Sequence, residues 1–208
     1  MTNSPLGLEL PGEPNPVRLM NTLWADTAGM HDDLASPAGL RNWLAAVYDN
    51  DSSEFDDPTL DEFADAQLLR DSLRQLAAFL TGGHQHDPKP SIDDLDRATE
   101  TVNRSVASRP ANRITLRNSE IRLDDRLNTS PSRLALADLA SDAIGLFTGP
   151  AADCLRPCHA PGCLLYFVKT HPRRQWCSEA CGNRARVARH YQRIRAQTNL
   201  DRESRNPK

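Results

Sequence analysis

The feature that most limits how this chain can fold is a set of four cysteines in two close pairs. Cys158 and Cys163 form the first pair, and Cys177 and Cys181 form the second. Thiolates at this spacing can supply the four tetrahedral ligands that Zn²⁺ requires. We therefore predict one structural zinc ion bound by these four side chains. Since four thiolates leave no open position for water, the site argues against hydrolytic catalysis. The sequence also has no G-x-S-x-G, P-loop, H-E-x-x-H or dinucleotide-binding motif, so we expect no enzyme activity.

The residues around the two pairs predict a small metal-bound module. Pro161-Gly162 has the chemistry of a tight turn within the first pair. The apolar run 164–168 has the length of a strand, and we expect Gln175-Trp176 to return beside it. Ser178 is expected to cap a helix that extends to about residue 199 and carries Cys181 in its first turn. Loop, hairpin and helix together outline a treble-clef-like zinc finger, a unit too small to fold without its metal.

Other side chains near the cysteine pairs could compete as ligands. Cys154 lies four residues before Cys158, and His159 and His171 are also close in sequence. Because Cys154 precedes an Arg-Pro pair in an apparent linker, we expect it to take no part in metal binding. The N-terminus has no basic segment followed by an apolar stretch, and no apolar run reaches about 20 residues. We therefore expect a cytoplasmic protein, where clustered cysteines bind metal more often than they form disulfides.

The distribution of charge separates the C-terminal region from the rest of the chain. Residues 151–208 contain 12 Lys and Arg against 4 Asp and Glu, whereas residues 1–150 contain 13 against 24. Such asymmetry indicates a polyanionic partner for the basic region. The alternative is that the two oppositely charged regions attract each other.

Projection of the C-terminal helix gathers arginines on one face, and two more lie at the predicted hairpin tip. Guanidinium groups suit phosphate oxygens and base edges, so we predict nucleic-acid binding, with double-stranded DNA as the favoured partner. Few aromatic residues accompany the arginines, which disfavours stacking on single strands. An RNA- or ribosome-associated module and a protein-interaction adaptor are the alternatives. The candidate contact residues are Arg173, Arg174, Asn183, Arg184, Arg186, Arg189 and Arg193.

Residues 15–149 predict a mainly helical domain. Helix starts are marked at Pro16, Ser36-Pro37, Thr59 with Glu62, Ser91 with Asp94, and Ser130-Pro131. The first helix is expected to include Val17, Met20, Leu23 and Trp24. Alternating apolar residues in 113–117 and 120–124 predict a β-hairpin around Asn118-Ser119, which should need a helix to cover it. The full division is a flexible leader (1–14), the helical domain (15–149), the finger with its basic helix (150–199) and a polar tail (200–208).

The segment Trp176-Cys177-Ser178, followed by Cys181-Gly182-Asn183-Arg184, resembles the CGNR-type zinc finger. Met20-Asn21-Thr22 and the later Leu40 with Trp43-Leu44 resemble the ABATE domain that usually precedes this finger. The resemblance covers about residues 15–195, although Lys169 and the compact 170–174 turn depart from the usual pattern. It implies a stress-induced bacterial transcription regulator that binds nucleic acid through the zinc module. It implies the same four zinc ligands.

The resemblance also bears on the helical domain, whose expected role is that of a sensor or a dimerisation module. It makes Asn21 and Thr22 candidates for a pocket that binds a small-molecule effector, or for core positions. Without the resemblance, a surface or capping amide would be the more ordinary interpretation of Asn21. A homodimer is a further expectation.

Overall fold

A computed structural model describes residues 10, 12–48, 55, 57–83, 87, 91–109, 114–123 and 129–205. The structural statements below refer to these residues. Most of the predicted leader, the polar break after Tyr48 and the last three residues of the predicted tail lie outside the described residues. No helix in the described ranges is long and apolar enough to cross a membrane.

The prediction of a mainly α protein is confirmed. The described helices are α1 (Asn15–Met20), α2 (Pro37–Tyr48), α3 (Leu60–Thr81), α4 (Ile92–Ala107), α5 (Pro131–Thr148) and α6 (Glu179–Arg205). Thr59 with Glu62 and Ser91 with Asp94 form the expected capping boxes, in which each cap side chain bonds a backbone amide in the first turn. Gly82 ends α3 in the left-handed conformation, with φ of 82°.

The first predicted helix is wrong in its second half. α1 ends at Met20, and Leu23–Ala25 forms strand β1, which pairs antiparallel with β2 (Met30–Asp32). The turn between them is fixed locally, because Asp26 Oδ1 accepts a hydrogen bond from the Ala28 amide and Gly29 takes a φ of 135°. Leu23 and Trp24, whose spacing could continue the helix, therefore lie in a strand instead.

The predicted central hairpin is present as β3 (Ile114–Arg117) and β4 (Glu120–Leu123). Asn118 and Ser119 both have positive φ, 50° and 65°, as a two-residue type I′ turn requires. The expected cover is not provided by the described residues, since Ile114, Leu116 and Ile121 are each more than 70% exposed.

The strand pairing in the metal-binding region also differs from the prediction. β6 (Tyr166–Val168) pairs with the upstream β5 (Leu155–Pro157), and not with Gln175-Trp176. The Cys158 amide donates to the Leu165 carbonyl and the Lys169 amide to the Cys154 carbonyl, which extends the pairing at both ends. The turn that contains the first cysteine pair is therefore the loop of the hairpin.

The main hydrophobic core lies among the first five helices and extends into the metal-binding region. Leu155, Tyr166 and Val168 are buried in the same cluster as Trp43 of α2. A second, smaller cluster consists of the four cysteines with Phe167, Ala160 and Leu10. β6 thus lies between the two clusters, with successive side chains on opposite sides.

Candidate metal centre and basic helix

The four predicted ligands form one compact, buried group. The ligand atoms of Cys158, Cys163, Cys177 and Cys181 all lie within 4.8 Å of one another. Three of the measured Sγ–Sγ distances are 3.4, 3.7 and 3.8 Å. A tetrahedron with Zn–S bonds of about 2.3 Å has edges of about 3.8 Å, so the donor set fits zinc in both size and chemistry. One structural zinc ion is the cofactor of this module.

Local backbone structure places each ligand. In the loop, Gly162 has a φ of 72°, and the Cys163 amide donates to the Ala160 carbonyl at 3.0 Å. At the start of α6, Ser178 Oγ accepts from the Cys181 amide at 3.2 Å, which confirms the predicted cap. The ligands therefore come from a tight turn on one side and from a helix N-terminus on the other.

Crowding perturbs the ionisation of the thiols in opposite directions. Hydrogen bonding with Cys163 lowers the pKa of Cys158 to about 7, and hydrogen bonding with Cys158 lowers the pKa of Cys181. The same contacts raise the pKa of Cys163 and of Cys177, since these thiols then donate to their ionised neighbours. A divalent cation can replace the shared protons, so metal binding releases protons and weakens as the pH falls.

Arg184 and Gly182, which follow the last ligand Cys181, both support the metal centre. Arg184 Nη2 donates to Cys181 Sγ at 3.0 Å. Burial lowers the pKa of Arg184, but the attraction and hydrogen bond to Cys181, with the nearby Cys163 and Cys158, together raise it. A methyl group at position 182 would lie only 3.0 Å from Trp176 Cδ1, so the absence of a side chain at Gly182 leaves room for the Trp176 ring. Arg184 therefore compensates the negative charge of the ligand sulfur, and Gly182 leaves space for the Trp176 ring.

Asn183 has a different environment from its neighbours. Its side chain is exposed and accepts a hydrogen bond from Arg186. It lines an open groove of about 670 Å³ between the 173–176 loop and the first turns of α6, together with Arg173, Trp176 and Arg186. A second, smaller depression further along α6 is lined by Arg186, Arg189, His190 and Arg193.

The predicted basic residues divide into an exposed set and an internal set. Arg173, Arg186, Arg189 and Arg193 are exposed, and the Arg189 guanidinium lies 5.9 Å from the centre of the Trp176 ring. Arg174 instead forms an ion pair with Glu13 at 2.6 Å and lies over the Phe167 ring. Arg184 is directed at the metal ligands. Both side chains are half-buried and bond groups of the module itself, although Arg174 also lines the open groove.

Among the described residues, the group of possible metal ligands contains the four cysteines and none of the nearby alternatives. Cys154 is half-buried and packs against the main hydrophobic core. His159 and His171 are exposed, and His171 Nδ1 accepts from the Arg173 amide at 3.1 Å. The expectation that Cys154 is not a ligand agrees with this placement.

Asn21 and Thr22 use their polar atoms inside the protein. Asn21 Nδ2 donates to the Tyr166 carbonyl at 2.9 Å, and Asn21 Oδ1 accepts from the Tyr166 amide at 2.8 Å. Thr22 Oγ1 donates to the Leu19 carbonyl at 2.8 Å. Both residues are almost fully buried. The structure thus gives Asn21 a role in joining α1 to β6 and offers no support for an effector pocket at these residues.

The sequence interpretation did not include Glu13, which bonds the Val168 amide, or Arg74, which lies over the Tyr166 ring. Glu13 lies within the predicted flexible leader, yet it is buried, as is Leu10. A buried carboxylate must have a partner, but the local sequence does not identify that partner as Arg174.

Two family models match this chain. Residues 14–150 match the ABATE model, described as "Putative stress-induced transcription regulator", and residues 155–194 match the CGNR zinc finger. A comparison with curated proteins gave no match. The matched ranges include all four cysteines in the second segment and α1 to α5 in the first.

Proposed function

We propose that this chain, which belongs to the ABATE family and carries a CGNR zinc finger, binds double-stranded DNA as a transcription regulator. The observation that carries the proposal is the row of exposed arginines on a helix whose start is fixed by the metal ligands. Arg186 and Arg193 are seven residues apart, about 10 Å along the axis of α6. The major groove of B-DNA admits an α-helix, and arginines on such a helix can bond phosphates and base edges.

In this proposal the zinc ion has a structural role. It fixes the first turn of α6 against the 173–176 loop, so that Arg173 and Arg186 line one groove. The protein then binds and does not catalyse, because four thiolates complete the zinc shell and leave no position for an activated water. The acidic helical domain remains outside the DNA contact.

Salt dependence tests the proposal. For full-length, zinc-loaded protein and a labelled duplex, the logarithm of the association constant should fall linearly with the logarithm of salt concentration. The slope should steepen by about 0.9 for each phosphate contact. Arg186→Gln and Arg193→Gln should each lower both affinity and slope. Arg122→Gln is the matched control, since Arg122 is an exposed arginine on the β3–β4 hairpin.

The result also separates the alternatives. Stronger binding to structured RNA than to the duplex would replace DNA by RNA as the partner. If neither nucleic acid binds at low salt, the nucleic-acid proposal fails and the protein-interaction adaptor is favoured. The helical domain as sensor or dimerisation module stays a prediction, and analytical ultracentrifugation of the zinc-loaded protein would test the dimer.

A further inference from the structure

One edge of strand β6 is paired with side chains instead of with another strand. The edge that faces β5 uses backbone groups at Leu165 and Lys169. The groups at Leu164, Tyr166 and Val168 alternate with these and therefore point to the opposite edge. All three residues are buried, so their backbone groups need partners inside the protein.

Four side chains meet this outer edge group by group. Asn21 bonds both the amide and the carbonyl of Tyr166. Glu13 Oε2 accepts from the Val168 amide at 2.8 Å, and Arg174 Nη1 donates to the Val168 carbonyl at 3.0 Å. Arg74 Nη2 donates to the Leu164 carbonyl at 3.1 Å. Four backbone groups of β6 and the carbonyl of nearby Leu164 are thus satisfied by side chains, and we call these four residues the β6 latch.

The latch joins the helical domain to both halves of the metal centre. Leu164, which Arg74 bonds, directly follows the ligand Cys163. Arg174 also donates to the carbonyl of the ligand Cys177 at 2.9 Å while it pairs with Glu13. Arg74 is held in turn by the Met20 carbonyl at 2.8 Å and by Asp87. A displacement of α1 or α3 would therefore change the backbone that positions the ligands.

We propose that the helical domain controls how tightly the finger holds zinc, through the β6 latch. Asn21 and Arg74 belong to the helical domain and Glu13 lies just before it, yet all three act as outer supports of the metal centre. By linkage, zinc binding stabilises the contact between helical domain and finger to the same extent. This coupling between the helical domain and zinc binding does not depend on nucleic acid. Its consequence for α6 is control of DNA affinity, and that part rests on the proposed function.

The test measures zinc affinity of full-length protein by competition with a chromophoric chelator. Glu13→Gln removes the charge that Arg174 needs, and Asn21→Asp removes the donor to the Tyr166 carbonyl. Loss of an outer support weakens metal binding by about tenfold to a hundredfold, and we expect that range for each variant. Glu120→Gln and Asn103→Asp make the same chemical changes at exposed positions and should bind zinc like the wild type.

A second measurement guards against a simple folding defect. Removal of zinc from the wild-type protein should accelerate hydrogen exchange of the Tyr166 and Val168 amides and lower the melting temperature of the helical domain. If Asn21→Asp does not fold, Glu13→Gln decides the affinity test. Wild-type zinc affinity in the folded latch variants, or helices that melt at the same temperature with and without zinc, would overturn the proposal. Failure of DNA binding alone would leave it standing.

Discussion

At the scale of single residues, the four consecutive positions 181–184 perform four different tasks. Cys181 is a ligand, Gly182 accommodates the Trp176 ring, and Arg184 donates to the ligand sulfur. The exposed Asn183 side chain lines the open groove beside Arg186 and accepts a hydrogen bond from it. Neighbouring residues of one helical turn therefore point in different directions, and the metal-supporting and partner-facing functions are separable by mutation.

This separation can be tested with one substitution at two positions. Arg184→Met should reduce zinc affinity by about tenfold or more, because it removes the cation that bonds Cys181 Sγ. Arg186→Met makes the same change two residues later, where the guanidinium bonds Asn183 instead, and should leave zinc affinity unchanged while it weakens duplex binding. Chelator competition and duplex titration of both variants provide the measurements. Equal zinc affinities for the two variants would contradict the role of Arg184.

At the scale of elements, interhelical contacts in the helical domain include half-buried polar groups as well as apolar side chains. Tyr48, at the end of α2, donates its hydroxyl hydrogen to the Ala135 carbonyl of α5 at 3.2 Å. Burial, followed by the nearby charge of Asp142, raises the pKa of Tyr48 to about 12. The folded protein therefore favours the neutral phenol.

The sign of the pH dependence follows from that shift. Below pH 10 the phenol is neutral in both states, so its contribution to stability is complete. As the pH rises from 10 to 12, only the unfolded chain ionises, and stability falls. Tyr48→Phe should lower the free energy of unfolding by about 1 kcal/mol at pH 7, because the hydrogen bond is lost. Between pH 10 and 12 the variant should lose less stability than the wild type. Urea unfolding at several pH values measures both effects, with exposed Tyr191→Phe as the control.

At the scale of the whole molecule, the finger and the helical domain share one core. Leu155 lies in β5 of the metal-binding region, yet it is fully buried in the same cluster as Leu139 of α5. Together with the β6 latch, this contact means that the finger is held by packing as well as by metal. The whole molecule should therefore unfold as one cooperative unit.

A cavity mutation tests that cooperativity. Leu155→Ala should lower the free energy of unfolding of the helical domain by about 2–5 kcal/mol even when zinc is saturating. Val187→Ala, on an exposed side chain of α6, should change it by no more than about 0.5 kcal/mol. Circular dichroism during denaturant unfolding follows the helices directly. A helical transition unaffected by Leu155→Ala would show that the two regions unfold independently.

Local sequence patterns predicted much of this structure because they depend on neighbours along the chain. Capping boxes at Thr59 and Ser91 marked helix starts, and Asn118-Ser119 marked a two-residue turn. The continuation of α1 beyond Met20 was predicted wrongly, because apolar residues spaced as in a helix can also suit a strand.

By itself, the sequence determined the ligand set, the mainly helical fold and the basic character of α6, since cysteine spacing, capping and charge are local properties. Only the tertiary structure decided that β5 is the partner of β6, that Asn21 supports a strand 145 residues away, and that Arg174 and Arg184 bond the metal ligands. Those outcomes depend on which buried backbone and charged groups meet when distant elements pack. No local sequence pattern specifies these pairs, because the partner of each buried group comes from a distant part of the chain.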